Sequence, residues 1–85
     1  MTPPFFAHTT PHYERLVKKL LKGHAELRGL QSRVREILQE DPYNLSRRHA
    51  IKKLEGVSPG EGQYRLRLGR VRFRYDVIGR EVWLL

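Results

Sequence analysis

A chain of 85 residues without cysteine is expected to be one domain with a thin core, and it excludes a disulfide framework and thiolate metal sites. Seventeen Lys+Arg against nine Asp+Glu leave a net charge of +8. Twelve of the cations are arginines, whose planar forks suit phosphates, so the partner expected first is nucleic acid and second an acidic protein.

The opening residues, MTPPFFAHTT, lack the basic start and long apolar run of a secretory signal. No segment approaches the roughly 18 apolar residues of a membrane span, so a cytoplasmic protein is expected. The Pro3-Pro4 pair can sit at the start of an edge strand, and Phe5, Phe6 and Ala7 then make a short first strand over residues 4–8. Thr10-Pro11 reads as a helix start, with threonine able to cap and proline harmless at the first helical position. Tyr13, Leu16, Val17, Leu20 and Leu21 follow at helical spacing to about Lys22, and Gly23 breaks the run. Leu27, Leu30, Val34, Ile37 and Leu38 mark a second amphipathic helix that Asp41-Pro42 ends. A short break between two helices implies an antiparallel helical hairpin.

From Pro42 to Gly62 the pattern weakens to isolated anchors, Leu45, Ile51, Leu54 and Val57, among Arg47, Arg48, His49, Lys52 and Lys53. This stretch is expected to be irregular, with at most one helical turn. Gly56 to Gly62, with glycines and a proline close together, reads as a loop.

Beyond it the period changes to two. Tyr64, Leu66 and Leu68 alternate with Arg65 and Arg67, and Val71, Phe73, Tyr75 and Val77 alternate with Arg70, Arg72, Arg74 and Asp76. Gly69-Arg70 between the runs suits a type II′ hairpin turn, because glycine takes positive φ at the first turn position without strain. The register follows: Leu68 faces Val71, Arg67 faces Arg72, Leu66 faces Phe73, Arg65 faces Arg74 and Tyr64 faces Tyr75. Gly79-Arg80 turns the chain again, pairing Val77 with Val82 and Tyr75 with Leu84, and it leaves Trp83 and Leu85 on the arginine face. The whole reads as an α+β fold of two layers: an N-terminal strand and a helical hairpin packed on an antiparallel β-meander, in the order β-α-α-β-β-β. Which meander edge the first strand joins is open at this stage.

Opposed like charges in a ladder cost roughly 0.2–1 kcal/mol per pair, so two arginine rungs call for a compensating anion. A solvated outer face is the plain alternative, but mixed lysine and glutamate would serve solubility better. Lys52, Lys53, Arg65, Arg67, Arg70 and Arg74 are the expected phosphate-binding residues, with Arg72 on the same surface. Arg47 and Arg48 belong to the basic cluster that leads into the hairpin. His8, His12, His24 and His49 have no metal-ligand spacing, so neither a metal nor another cofactor is expected. His49 and Glu55 are the candidates for a general base, with Glu61 also able to accept a proton. Trp83 reads as packing, with base stacking the lesser reading.

A helical hairpin, then Lys52-Lys53-Leu54-Glu55-Gly56, then the Tyr-Arg-x-Arg-x-Gly strand of Tyr64 to Gly69 and the Arg-x-x-Tyr strand of Arg72 to Tyr75, together resemble the RelE/ParE superfamily of bacterial type II toxins. The resemblance implies a RelE-like fold and a toxin held inactive by a cognate antitoxin that wraps it. It further implies action at the ribosome, where RelE-like members cut messenger RNA without a metal and so inhibit translation. ParE-like members inhibit DNA gyrase instead, and that branch is the alternative. The family's substrate-binding basic residues map onto Arg65 and Arg67, and its transition-state arginine onto Arg72; these three are the residues expected to carry catalysis. Members usually continue past the strand matching Glu81 to Leu85 with a segment bearing a catalytic Tyr or His. That segment has no counterpart before Leu85, so the readings are a tail lying beyond these residues, a base supplied by His49 or Glu55, or an RNA- or antitoxin-binding member that does not cut.

Overall fold

In a computed structural model that describes residues 4–85, the expected punctuation divides the chain into β1 (Phe6–Thr9), α1 (Pro11–Leu21), α2 (Leu27–Glu40), β2 (Ile51–Lys53), β3 (Tyr64–Leu68), β4 (Val71–Ile78) and β5 (Glu81–Leu84). Pro3 of the proline pair lies outside the described residues, and the first strand begins at Phe6. The start of α1 is set by Thr10, whose Oγ1 accepts from the Tyr13 N–H at 3.2 Å, with Pro11 in the first turn. The same hydroxyl donates to the Leu84 carbonyl at 2.9 Å, so the cap also fixes the helix to the end of β5.

The five strands form one mixed sheet in the order β1-β5-β4-β3-β2. The helical hairpin carries the chain away from β1, and β5 returns beside it in parallel, with Phe6 opposite Glu81 and Ala7 opposite Val82. The edge left open by the sequence is therefore β5. All other pairs are antiparallel. The β3–β4 and β4–β5 registers are the expected ones at every named position, from Tyr64↔Tyr75 to Leu68↔Val71 and at Tyr75↔Leu84 and Val77↔Val82. Gly69 and Gly79 take φ of 59° and 60° in the two turns while Arg70 and Arg80 keep negative φ, which is the φ pattern of a type II′ turn.

The fold is thus α+β, with two helices on one face of the sheet and one strand more than the expected β-α-α-β-β-β order. The addition is β2, a three-residue strand at the edge, where Ile51 pairs with Leu66 and Lys52 with Arg65. A strand with a single apolar residue offers no alternation to read. What positions it is the loop before it, which is not helical. The Asp41 carboxylate accepts from the backbone of Leu45 (2.8 Å) and Ser46 (3.1 Å) and from the Ser46 hydroxyl (2.5 Å). Burial pushes the Asp41 carboxyl up, but these hydrogen bonds and the nearby His49 outweigh it and hold the group below its ordinary value. Asn44 then clamps His49 from both sides, donating to its carbonyl at 2.8 Å and accepting from its N–H at 3.1 Å.

Leu66, Phe73, Tyr75, Val82 and Leu84 point from the inner sheet face onto Tyr13 of α1 and Leu27, Val34, Ile37 and Leu38 of α2. Tyr75 is wholly buried and its hydroxyl donates to the Pro42 carbonyl at 2.6 Å, tying the centre of the sheet to the loop after α2. Burial raises the Tyr75 hydroxyl well above its ordinary pKa, and neighbouring Tyr64 and Asp41 act in the same direction, so it remains a donor. Tyr64 stacks on Tyr75 with ring centroids 5.5 Å apart, and Tyr43 meets Tyr64 edge-on at 5.8 Å. The helices and the core therefore occupy one face, and the other is left to the polar side of each strand.

Candidate nucleic-acid interface

Strand alternation puts Lys52, Arg65, Arg67, Arg72 and Arg74 on the outer face, and pairing brings them together. Lys52 sits opposite Arg65, Arg65 opposite Arg74, and Arg67 opposite Arg72, across three adjacent strands. Arg67 and Arg72 are exposed; Arg65 and Arg74 are half-buried. Arg70 is exposed in the turn beyond the Arg67–Arg72 rung. Lys53 is separated from this group. It pairs with Tyr64, so alternation turns it toward the helical side, at the sheet edge and exposed.

The Arg65–Arg74 rung has a second function. Arg74 Nε donates to the Gly62 carbonyl at 2.9 Å and its Nη2 to the Glu61 carbonyl at 3.0 Å. Two residues along β4, Asp76 is 3% exposed and its carboxylate accepts from the backbone of Gly60 (2.9 Å), Gly62 (3.2 Å) and Gln63 (2.9 Å). The two side chains hold the Gly-rich loop against the outer face from opposite electrostatic sides, one satisfying its N–H groups and the other its carbonyls. The fit needs glycine at position 62, where φ is 84° and a Cβ would lie 2.9 Å from that of Arg74. Asp76 therefore serves the loop rather than neutralising the arginines.

No lysine or arginine among the described residues forms an ion pair; the two pairs present are His8–Glu81 and His24–Glu26, the second at 3.5 Å. The Arg67–Arg72 rung thus stands exposed, opposed like to like, and without an ion-pair partner among the described residues. Such a rung is satisfied by an acceptor from outside the chain, and a phosphodiester matches both its charge and its fork geometry.

Neither candidate base is joined to this ladder by a hydrogen bond or ion pair among the described residues. The backbone of His49 is held by Asn44, and its ring Nε2 is enclosed without a hydrogen-bond partner, so it is not presented to a ligand on the outer face. Glu55 is exposed in the turn after β2, and no hydrogen bond or ion pair among the described residues links it to the arginines. What the sequence did not single out is a groove of about 680 Å³ where the outer face meets the start of α1. Arg72 and Arg74 line it together with Thr10, His12, Glu61 and Leu85. The sequence carries no local sign of this juxtaposition, because it depends on β1 pairing with β5 and delivering the start of α1 to the first half of β4.

At the far side of the sheet the outer face is aromatic. His8 stacks on Trp83 with centroids 4.5 Å apart and pairs with Glu81, while Trp83 stays 37% exposed. No helix of the described residues is long and apolar enough to cross a membrane, and none of their His, Asp and Glu side chains cluster as a metal site. The chain matches no protein-family model, no curated protein and no solved structure.

Proposed function

We propose that this protein is a RelE-like toxin of a type II toxin-antitoxin system, a ribosome-dependent mRNA endonuclease that inhibits translation and is neutralised by a cognate antitoxin. The observation that carries the reading is the Arg67–Arg72 rung: two exposed guanidiniums on opposite strands, with no carboxylate paired to them. Side chains directly opposite in a ladder start from Cβ atoms about 4.5–5.5 Å apart, close enough for two forks to grip one phosphate. In RNA cleavage a 2′-hydroxyl attacks the adjacent phosphorus and charge builds on the phosphoryl oxygens. Fixed donors aimed at those oxygens stabilise the transition state more than the ground state. Arg72 and Arg67 take that role, and Arg65 with Lys52 extends the cationic track along the strand toward β2. The element order, a strand and a helical hairpin followed by an antiparallel meander, supports the family reading.

The test is expression of the chain followed by primer-extension mapping of cellular transcripts, with Arg72→Ala in parallel. New 5′ ends within coding regions that vanish in Arg72→Ala are expected. Growth arrest with intact transcripts would reject the nuclease and direct attention to DNA gyrase, where a supercoiling assay decides.

A further inference from the structure

We infer that His12 is the general base of this site, acting in the groove that Arg72 and Arg74 line; the inference rests on the nuclease reading. Phosphoryl charge stabilisation and proton removal must occur within one site, since a base has to be within hydrogen-bond reach of the hydroxyl it deprotonates while the arginines hold the phosphate. The Arg67–Arg72 rung fixes where the phosphate lies. His12 shares a cavity with Arg72 of that rung: it is exposed on the first turn of α1 and lines the groove of about 680 Å³ with Arg72 and Arg74. His8 is occupied by Trp83 and Glu81, His24 pairs with Glu26, and the His49 ring nitrogen is enclosed.

The groove's remaining titratable group, Glu61, contributes its backbone carbonyl to Arg74 and lines the cavity as an exposed carboxylate. Imidazole is the side chain suited to exchange protons near neutral pH, so the role falls to His12. Its placement is also mechanically firm. Thr10 caps α1 while donating to the Leu84 carbonyl, which locks the helix start, and hence His12, to the strand beside β4.

The step balances without a metal. A neutral His12 ring nitrogen takes the 2′-hydroxyl proton, the 2′-oxygen bonds to phosphorus, and the bond from phosphorus to the 5′-oxygen breaks. The departing 5′-oxygen takes a proton from water, and the imidazolium returns its own proton to the hydroxide so formed. The products are a 2′,3′-cyclic phosphate and a 5′-hydroxyl.

Cleavage of messenger RNA on programmed ribosomes by the full chain tests this, comparing wild type with His12→Ala, His12→Gln and Arg72→Ala. Both His12 variants are expected to lose about 100-fold or more in kcat with KM unchanged, the usual contribution of a positioned base. Added imidazole is expected to restore part of the His12→Ala rate, and cyclic-phosphate ends are expected on the products. Wild-type cleavage by His12→Ala alongside an inactive Arg72→Ala overturns the inference and leaves the nuclease reading standing. Loss of rate in a normally folded His12→Gln, without imidazole rescue and with an unchanged pH–rate profile, also overturns it. RNA bound but left whole by the wild type overturns both.

Discussion

The two arginine rungs of the outer face are identical in sequence terms and opposite in physical role. Arg65–Arg74 and Arg67–Arg72 are each a like-charge pair across β3 and β4, two residues apart on the same ladder. In the first, Arg74 is half-buried and spends its fork on the carbonyls of Glu61 and Gly62. In the second, both side chains are exposed and neither hydrogen-bonds a protein group among the described residues. A repeated charge pattern can therefore hold one rung that builds the site and another left free to serve a ligand. Only the course of the loop above them tells which is which.

Between the rungs lies Leu66 opposite Phe73, on the inner face and fully buried. If the rungs depend on a rigid ladder, removing that core pair should disturb both at once. Leu66→Ala is expected to cost about 2–5 kcal/mol, the largest effect among these substitutions, because a thin core has little to collapse into the cavity. Thermal or denaturant unfolding measures it, and a stability close to wild type would place Leu66 outside the core.

The registers were legible in the sequence for the same reason that Leu66 matters. Alternation, a Gly-X turn and matching residue types all specify one pairing, and a one-residue slip would bury arginine. The helices were legible too, through Thr10-Pro11, Gly23 and Asp41-Pro42. β2 was not, since Ile51-Lys52-Lys53 carries no period and owes its place to the Asp41 and Asn44 side chains and to pairing with β3. Nor was the division of labour between the rungs. Asp76 stands in the alternation as the one acid among arginines, and nothing local shows that three backbone N–H groups of the loop consume its carboxylate. His12 reads only as one of four histidines without metal-ligand spacing until the sheet order brings α1 to Arg72.

Asp76→Ala breaks the comparison from the loop side. It strips the acceptor from three backbone donors, and with buried donors left unpaired an expected cost of about 3 kcal/mol follows. Faster amide exchange confined to residues 60–63 would accompany it. If exchange there stays at the wild-type rate, the carboxylate is not what holds the loop. Arg74→Ala acts on the same loop from its carbonyl side, where water can replace part of the loss, so about 1 kcal/mol is expected, again by denaturant unfolding. A neutral or stabilising result would mean that relief of the Arg65–Arg74 repulsion outweighs the two hydrogen bonds.

Arg72→Ala should separate the rungs most cleanly, because it touches function and leaves stability almost alone. The side chain is exposed, opposes Arg67 and has no protein acceptor to strand, so the change in unfolding free energy is expected to stay within about 0.5 kcal/mol. RNA affinity measured against salt concentration should behave differently. Each phosphate contact removed lowers the slope of log K against log salt by about 0.7 on a single strand, so Arg72→Ala should bind more weakly and with a flatter salt dependence. Arg74→Ala, its guanidinium already engaged with the loop, should alter that slope less than Arg72→Ala does. Equal slopes for the two variants would show that both rungs meet phosphate, and the distinction drawn from the loop contacts would then apply to folding alone.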